Sequence, residues 1–300
     1  MRIGALEAGG TKMVCAVGDE TGAVLERIQI PTTQPEETID TMVEWFRQRE
    51  IETLGIGCFG PIDLRRGSKT YGYITTTPKP GWAWCDMVGA FQRTLSIPVG
   101  FDTDVNASVL GEVTYGQAKG LDTVLYITVG TGIGLGIYIN GMLHHGILHP
   151  EGGHVLLTLH PNDHWKCRCP YHPNCLEGLA CGPAIEERWG KSARELADRP
   201  EVWEMEANYI AQALVDYICV FSPQKIILGG GVMKQRQLFA LIRGEVARLM
   251  NHYLAAEELQ HLEEYIVPES LDGDQGILGC LELGRMEWQR EQKGAGHGRA

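Results

Sequence analysis

Three hundred residues, 44% apolar and 21% charged, suffice for two packed domains or one large α/β unit and carry no signature of disorder. A formal charge of -12 argues against nucleic acid or an anionic membrane as partner, because both call for a basic surface. It leaves room for an anionic ligand held by backbone N–H groups and a metal ion.

The opening MRIGALEAGG lacks an apolar run of signal-peptide length behind a basic start, so a cytoplasmic location is expected. Residues 2–17 predict strand, glycine-rich turn, strand, followed by a turn at 19–22 and the strand AVLERI. Ile39, Met42, Val43 and Phe46 recur at helical spacing, with Thr33 and Glu36 placed as a capping box. LGIGCFGPID (54–63) predicts a buried strand running into a turn. VGFDTDVNAS (99–108) predicts a strand whose end, Thr103 or Asp104, caps a helix continuing through Leu110.

Residues 123–143 are uncharged and long enough to span a bilayer. However, Gly130, Gly132, Gly134 and Gly136 crowd the centre and Asn140-Gly141 is a hairpin turn, so buried strands are expected instead. This segment repeats the scheme of residues 2–17, which suggests two related lobes. Residues 205–221 predict a helix, KIILGGGVM (225–233) a strand entering a glycine turn, and QLFALIRGEVARLM (237–250) another helix. The polar stretch from Glu287 onward is expected to fray. Strands and helices alternate, so the class is α/β.

Three glycine turns follow apolar strands: Gly9-Gly10-Thr11-Lys12, Gly130-Thr131-Gly132 and Gly229-Gly230-Gly231. Each alone is more often a tight turn than a phosphate cradle, though three in one chain are harder to dismiss, and none matches the P-loop or the dinucleotide fingerprint. Asp104 in DTDVNAS is either a solvated carboxylate at a helix start or a general base, since ligands gather at strand carboxyl ends in α/β folds. HWKCRCPYHPNCLEG (164–178) holds three of the nine cysteines and two histidines, more soft ligands than one zinc ion needs. Reduced thiols and a metal site fit this usage better than a disulfide framework. Glu151 and Glu177 flank the cluster and are either surface charges or acceptors for vicinal hydroxyls.

Eight segments occur in an order that resembles the bacterial ROK sugar kinases, zinc-containing fructokinase branch, over residues 2 to about 284. They are EAGGTK (7–12), CFGPID (58–63), TTTPKPGW (75–82), DTDVNAS (102–108), ITVGTGIG (127–134), HPEGGH (149–154), CPYHPNCLEG (169–178) and ILGGGVM (227–233). The resemblance implies an actin-like, hexokinase-type (ribonuclease H-like) fold of two α/β lobes with the active site in the cleft between them. By it, Asp104 is the catalytic base for attack of a sugar's primary hydroxyl on the γ-phosphorus of ATP, supplied with Mg²⁺. Gly9, Gly10, Thr11, Lys12, Gly130, Thr131 and Gly132 would hold the phosphates; Gly182, Pro183, Gly229, Gly230 and Gly231 would flank the adenosine. Thr103, Asn106, Glu151, His154 and Glu177 would meet the sugar, and His154, Cys169, His172 and Cys175 would bind structural zinc. Cys167 is then spare, and His160 and His164 face solvent.

The implied lobes are residues 1–115 joined by a C-terminal helix at about 276–290, then 116–275 with a zinc loop at 154–177, and a disordered tail at 291–300. Glu7 stands where the family usually has Asp. A first strand at residue 2 leaves no room for the DNA-binding helices of the family's repressors, so hexose and ATP are the expected partners, with a homodimer as the expected assembly. Fructose is the expected hexose. Glucose, mannose or N-acetylmannosamine as substrate, a non-catalytic sugar-responsive regulator and a zinc hydrolase are the alternatives.

Overall fold

The computed structural model describes residues 1–297, with side chains through 293. The chain divides into two compact units, each with its own hydrophobic core. The first comprises Met1–Gly120, Leu143–His149 and the chain from Ser270; the second comprises Leu121–Met142 and Pro150–Glu269. Residues 143–149, expected in the second lobe, pack with the first because two histidines tie them there, as described below.

In the first unit, β1 (Ile3–Ala8), β2 (Lys12–Gly18) and β3 (Val24–Pro31) form an antiparallel meander. On the other side of β1 lie β4 (Thr53–Cys58) and β5 (Val99–Thr103), both parallel to it, giving the order β3-β2-β1-β4-β5. Every residue of β4 and β5 is buried, as expected for strands covered on both faces. Helix α1 (Pro35–Arg47) buries Met42, Val43 and Phe46. Its start differs from the expected box. Pro35 sets the first turn, Gln34 becomes the N-cap, and Thr33 instead donates its hydroxyl to Glu37 at 2.9 Å. Helix α2 (Met87–Leu95) precedes β5, and α3 (Asp104–Thr114) follows it directly.

The second unit repeats this plan. Strands β6 (Val124–Val129), β7 (Ile133–Ile139) and β8 (Met142–Leu143) form the meander, and β9 (Lys225–Gly229) and β10 (Ile266–Pro268) add in parallel beside β6. The order β10-β9-β6-β7-β8 is the first unit's order over again. Around it lie α4 (Leu176–Ala180), α5 (Gly182–Trp189), α6 (Pro200–Phe221), α7 (Gln237–Met250) and α8 (Leu262–Tyr265). Among the described residues no helix is long and apolar enough to cross a membrane.

Helix α9 (Gln275–His297) returns to the first unit and packs on α3, β1, β4 and β5. The approach is so close that a Cβ on Gly279 would lie 1.7 Å from the Ala107 carbonyl oxygen, so only glycine fits. The tail expected to be disordered from 291 is helical to 297. The run Trp288 to Lys293 is rich in Gln, Glu, Arg and Lys, which favour helix, and Arg290 pairs with Glu287 one turn back. Residues 298–300 lie outside the described residues.

Candidate active site and metal cluster

In the first unit the turn after β1 is tied by the Gly9 N–H donating to the Lys12 carbonyl at 3.0 Å. Thr32 props it from β3's end: its hydroxyl donates to the Gly9 carbonyl at 2.8 Å and its N–H to the Thr11 carbonyl at 3.1 Å. Gly10, Thr11 and Lys12 are exposed, and the Gly10 and Thr11 N–H groups make no hydrogen bond among the described residues. Two adjacent unspent N–H groups on an exposed glycine turn can receive a phosphate.

The TTTPKPGW segment supports this turn from the side. Trp82, fully buried, donates its indole N–H to the Thr33 carbonyl at 2.9 Å, next to Thr32, and its ring meets Phe59 edge-on at 5.8 Å. The Phe59 N–H in turn donates to the Ala8 carbonyl, the residue before Gly9. Glu7 packs at the start of α9. A Cβ on Gly276 would sit 3.1 Å from both carboxylate oxygens, so Glu7 faces the electropositive end of that helix.

At the end of β5, Thr103 is the N-cap of α3, its hydroxyl accepting the Asn106 N–H at 3.1 Å. Asp104 is the first helical residue, half-buried, with Oδ1 accepting the Val105 N–H at 2.9 Å. Asn106, expected to meet a sugar, is fully buried, and its amide donates to Asp102 Oδ1 at 2.7 Å. Asp102 also accepts the Thr103 N–H at 2.8 Å and, on Oδ2, His145 Nε2 at 2.7 Å. Sequence reasoning missed the Asp102–His145 pair. The residues are 43 apart in the chain, and the only signal was the adjacent His144-His145 beside the Asn140-Gly141 hairpin.

In the second unit the turn after β6 is the counterpart of Gly9-Gly10-Thr11. The Gly130 N–H donates to the Gly132 carbonyl at 2.9 Å, while the Thr131 and Gly132 N–H groups make no hydrogen bond among the described residues. Gly182, at the start of α5, donates its N–H to the Gly130 carbonyl at 2.7 Å. Gly230, at φ +91°, passes so near β6 that a Cβ would lie 2.5 Å from the Val129 oxygen. Three segments expected to bind nucleotide, distant in sequence, therefore meet around one turn.

Glu177 on α4 links that turn to the metal cluster. Its Oε2 accepts the Ile133 N–H at 2.9 Å, and its Oε1 lies 3.9 Å from His154 Nε2. Glu151, whose side chain reaches solvent, is nevertheless pushed up to about 7, first by loss of hydration and then by the charge of Glu177. His154 ends a short 3-10 turn, Gly152–His154, held down by the Tyr217 hydroxyl on the Gly152 carbonyl at 2.7 Å.

One ligand atom from each of His154, Cys169, His172 and Cys175 falls within 4.8 Å of the others. His154 Nδ1 is 3.6 Å from Cys175 Sγ, and His172 Nδ1 is 3.4 Å from Cys169 Sγ. Such a donor set can hold one tetrahedral divalent ion. Cys167 is buried instead against α4, where a Cβ on Gly178 would lie 2.2 Å from its sulfur. His164 is exposed, while His160 is half-buried, its Nδ1 accepting the Asn162 N–H at 3.3 Å. The outer part of the loop has its own anchor, buried Asp163, which accepts from Tyr209 at 2.6 Å and pairs with Arg188 at 3.1 Å.

The ROK family profile matches residues 3–287. The chain belongs to the ROK family. A relative from Bacillus subtilis (strain 168) is 51% identical over 96% of this chain and 97% of its own length. The fructokinase of Pediococcus pentosaceus is 46% identical over 94% of this chain and 97% of its own. Among solved structures, the ROK hexokinase of Thermus thermophilus superposes with a TM-score of 0.80 at 27% identity, covering 97% of this chain and all of that one. The fold of this ROK protein is thus the expected α/β, actin-like, hexokinase-type fold, and the repeated sheet order described above is its internal signature.

Proposed function

We propose that this ROK protein is an ATP-dependent fructokinase that moves the γ-phosphoryl group of magnesium-ATP to the 6-hydroxyl of fructose. The observation that carries the reaction type is the pair of glycine turns, one per sheet, each with two adjacent N–H groups that make no hydrogen bond among the described residues, in a chain that also sets a carboxylate at the end of β5. The near-full-length likeness to a fructokinase supports the sugar.

Asp104 accepts the proton of the 6-hydroxyl as its oxygen bonds to the γ-phosphorus and the bond to ADP breaks. Gly9, Gly10, Thr11, Lys12, Gly130, Thr131 and Gly132 hold phosphate oxygens, while Gly182, Pro183, Gly229, Gly230 and Gly231 flank the adenosine. Glu151, His154 and Glu177 take sugar hydroxyls, with Thr103 and buried Asn106 shaping the floor beside the base. Transfer of this kind needs positioning and charge stabilisation more than covalent chemistry from the protein.

His154, Cys169, His172 and Cys175 fit a structural zinc. Bonds of about 2.3 Å to sulfur and 2.0 Å to nitrogen at tetrahedral angles separate S and N ligands by about 3.5 Å. The two separations in the structure, 3.4 and 3.6 Å, bracket that value. Burial pushes the Cys175 thiol up to about 12, so the sulfur needs a cation to persist as thiolate. With four protein ligands filling the coordination sphere, the ion would have a structural role, fixing the loop from which His154 and Glu177 project. A homodimer in the cytoplasm is the proposed setting, open to sedimentation analysis and fractionation.

The test is ADP release by the purified protein with magnesium-ATP and a panel of fructose, glucose, mannose and N-acetylmannosamine. The reading predicts the highest kcat/KM for fructose. Preference for an aldohexose would move the substrate, and absence of hexose-dependent ADP would favour a non-catalytic regulator.

A further inference from the structure

Residues 143–149 leave the second sheet at β8 and belong to the first unit. Two histidines hold them. His149 is buried and its Nε2 accepts the Ile62 N–H at 3.0 Å. His145 Nε2 lies 2.7 Å from Asp102 Oδ2 and 3.4 Å from Asn106 Nδ2. One anchor of this kind would secure so short a segment, so the second calls for a reason of its own.

The chemistry of Asp102 fixes the state of its partners. An ionised carboxylate only accepts, so His145 Nε2 carries a hydrogen, and the Asn106 amide turns its NH₂ to Asp102 and its oxygen away. Asp102 and Asn106 are both buried, whereas the His145 side chain is 37% exposed. Its Nδ1 makes no hydrogen bond among the described residues. The network therefore presents one polar group outward: an imidazole whose tautomer and tilt are set from behind by a buried carboxylate.

Its place in the sheet says what that group can meet. Asp102 pairs with Gly57 on β4, and Gly57 with Glu7 on β1, so the three form one row across the parallel strands. The strand bearing the first phosphate turn is thus two strands, about 10 Å, from Asp102. Asp104, by contrast, follows Asp102 by two residues at the same strand end. His145 stands on the side of the base rather than of the phosphates.

We infer that His145 is a sugar ligand and specificity-determining residue of the kinase, its Nδ1 meeting a hexose hydroxyl while Asp102 and Asn106 hold the ring in place. This rests on the fructokinase reading and adds a contact to it. The hydrogen bond that Nε2 donates to Asp102 agrees, since it raises the imidazole above its ordinary range against the opposing effect of burial.

The test measures kcat and KM for fructose, for mannose and for ATP in wild type, His145→Ala, His145→Gln and His149→Ala, with thermal midpoints for each. His145→Ala should raise the fructose KM about tenfold, the loss of one well-placed hydrogen bond. Its ATP KM should stay within about twofold and its fructose-over-mannose ratio should shrink. His145→Gln, which can donate to Asp102 and accept from a hydroxyl, should recover most of the loss. His149→Ala should lower the midpoint and leave the sugar preference alone. An unchanged fructose KM in His145→Ala, or fructose and ATP KM rising together, or the same loss of preference in His149→Ala, would reduce His145 to a latch and overturn the inference. Should the wild type phosphorylate no hexose, the fructokinase reading itself fails; should it do so with His145→Ala unaffected, only the added contact fails.

Discussion

The two sheets share one strand order, yet the turns at corresponding places are held in different ways. In the first unit the turn Gly9-Gly10-Thr11-Lys12 is propped by Thr32 and backed by Trp82, and its outer face is exposed. In the second, the turn Gly130-Thr131-Gly132 is gripped by Gly182 on one side, and by Glu177 from the metal loop on the other. The parallel edges also differ. Strand β5 runs straight into a helix headed by Asp104, whereas β10 ends at Pro268 and the next residue, Glu269, is taken up by the Tyr126 hydroxyl at 3.1 Å. A duplicated scaffold supplies glycine turns with unspent N–H groups twice; under the proposed function, the base would belong to one copy and the loop that would carry zinc to the other.

The sharpest way to break this asymmetry is Asp104→Asn. It should lower kcat by roughly 10²–10⁴ with little change in fructose affinity measured by calorimetry. Comparable loss from Glu269→Gln would mean that the second copy shares the chemistry. Next in size is removal of the metal. Chelation, or Cys169→Ser, should weaken fructose binding more than ATP binding, and metal content by mass spectrometry should fall to zero. Cys167→Ser should keep its metal; loss there would move the ligand set by two residues.

Smaller effects should separate the two turns. Thr32→Val removes one hydrogen bond, worth about 1 kcal/mol, and should raise the ATP KM about fivefold while sparing the fructose KM. Glu177→Ala leaves the Ile133 N–H unmet and faces His154 as well, so both KM values should rise. If the two variants behave alike, the turns are not held differently in any sense that matters. The smallest effect is on pH. The hydrogen bond to Asp102 raises His145, so the pair stabilises the fold fully below the unfolded imidazole value of about 6.5 and loses that contribution as pH rises through the raised one. In His145→Gln the thermal midpoint should therefore fall less steeply over that interval than in wild type.

Much of this was legible in the sequence because it is local. The glycine turns, the hairpin at Asn140-Gly141, a helix cap at Thr103 or Asp104 and a soft-ligand cluster declare themselves within a few residues. The choice of Cys169 over Cys167 and the addition of His154, fifteen residues from Cys169, came only from the family resemblance. What stayed hidden depends on tertiary contact. Asn106 is fully buried, which its place in a polar stretch of sequence does not announce. The Asp102–His145 bond crosses 43 residues. The start of α1 moved by one turn position because Pro35 fixes its own backbone angle more strongly than Thr33 can claim a cap. The last helix ran past its expected end because Gln289 to Lys293, though exposed, favour helix.

The central claim, that Asp104 directs phosphoryl transfer from ATP to the 6-hydroxyl of fructose, is tested most directly by identifying the product. Wild-type protein with fructose and magnesium-ATP, followed by phosphorus–proton correlation spectroscopy, should show ADP and a single phosphate ester coupled to the two protons on carbon 6. A phosphate coupled to carbon 1, or ATP left intact in the presence of fructose, would contradict it.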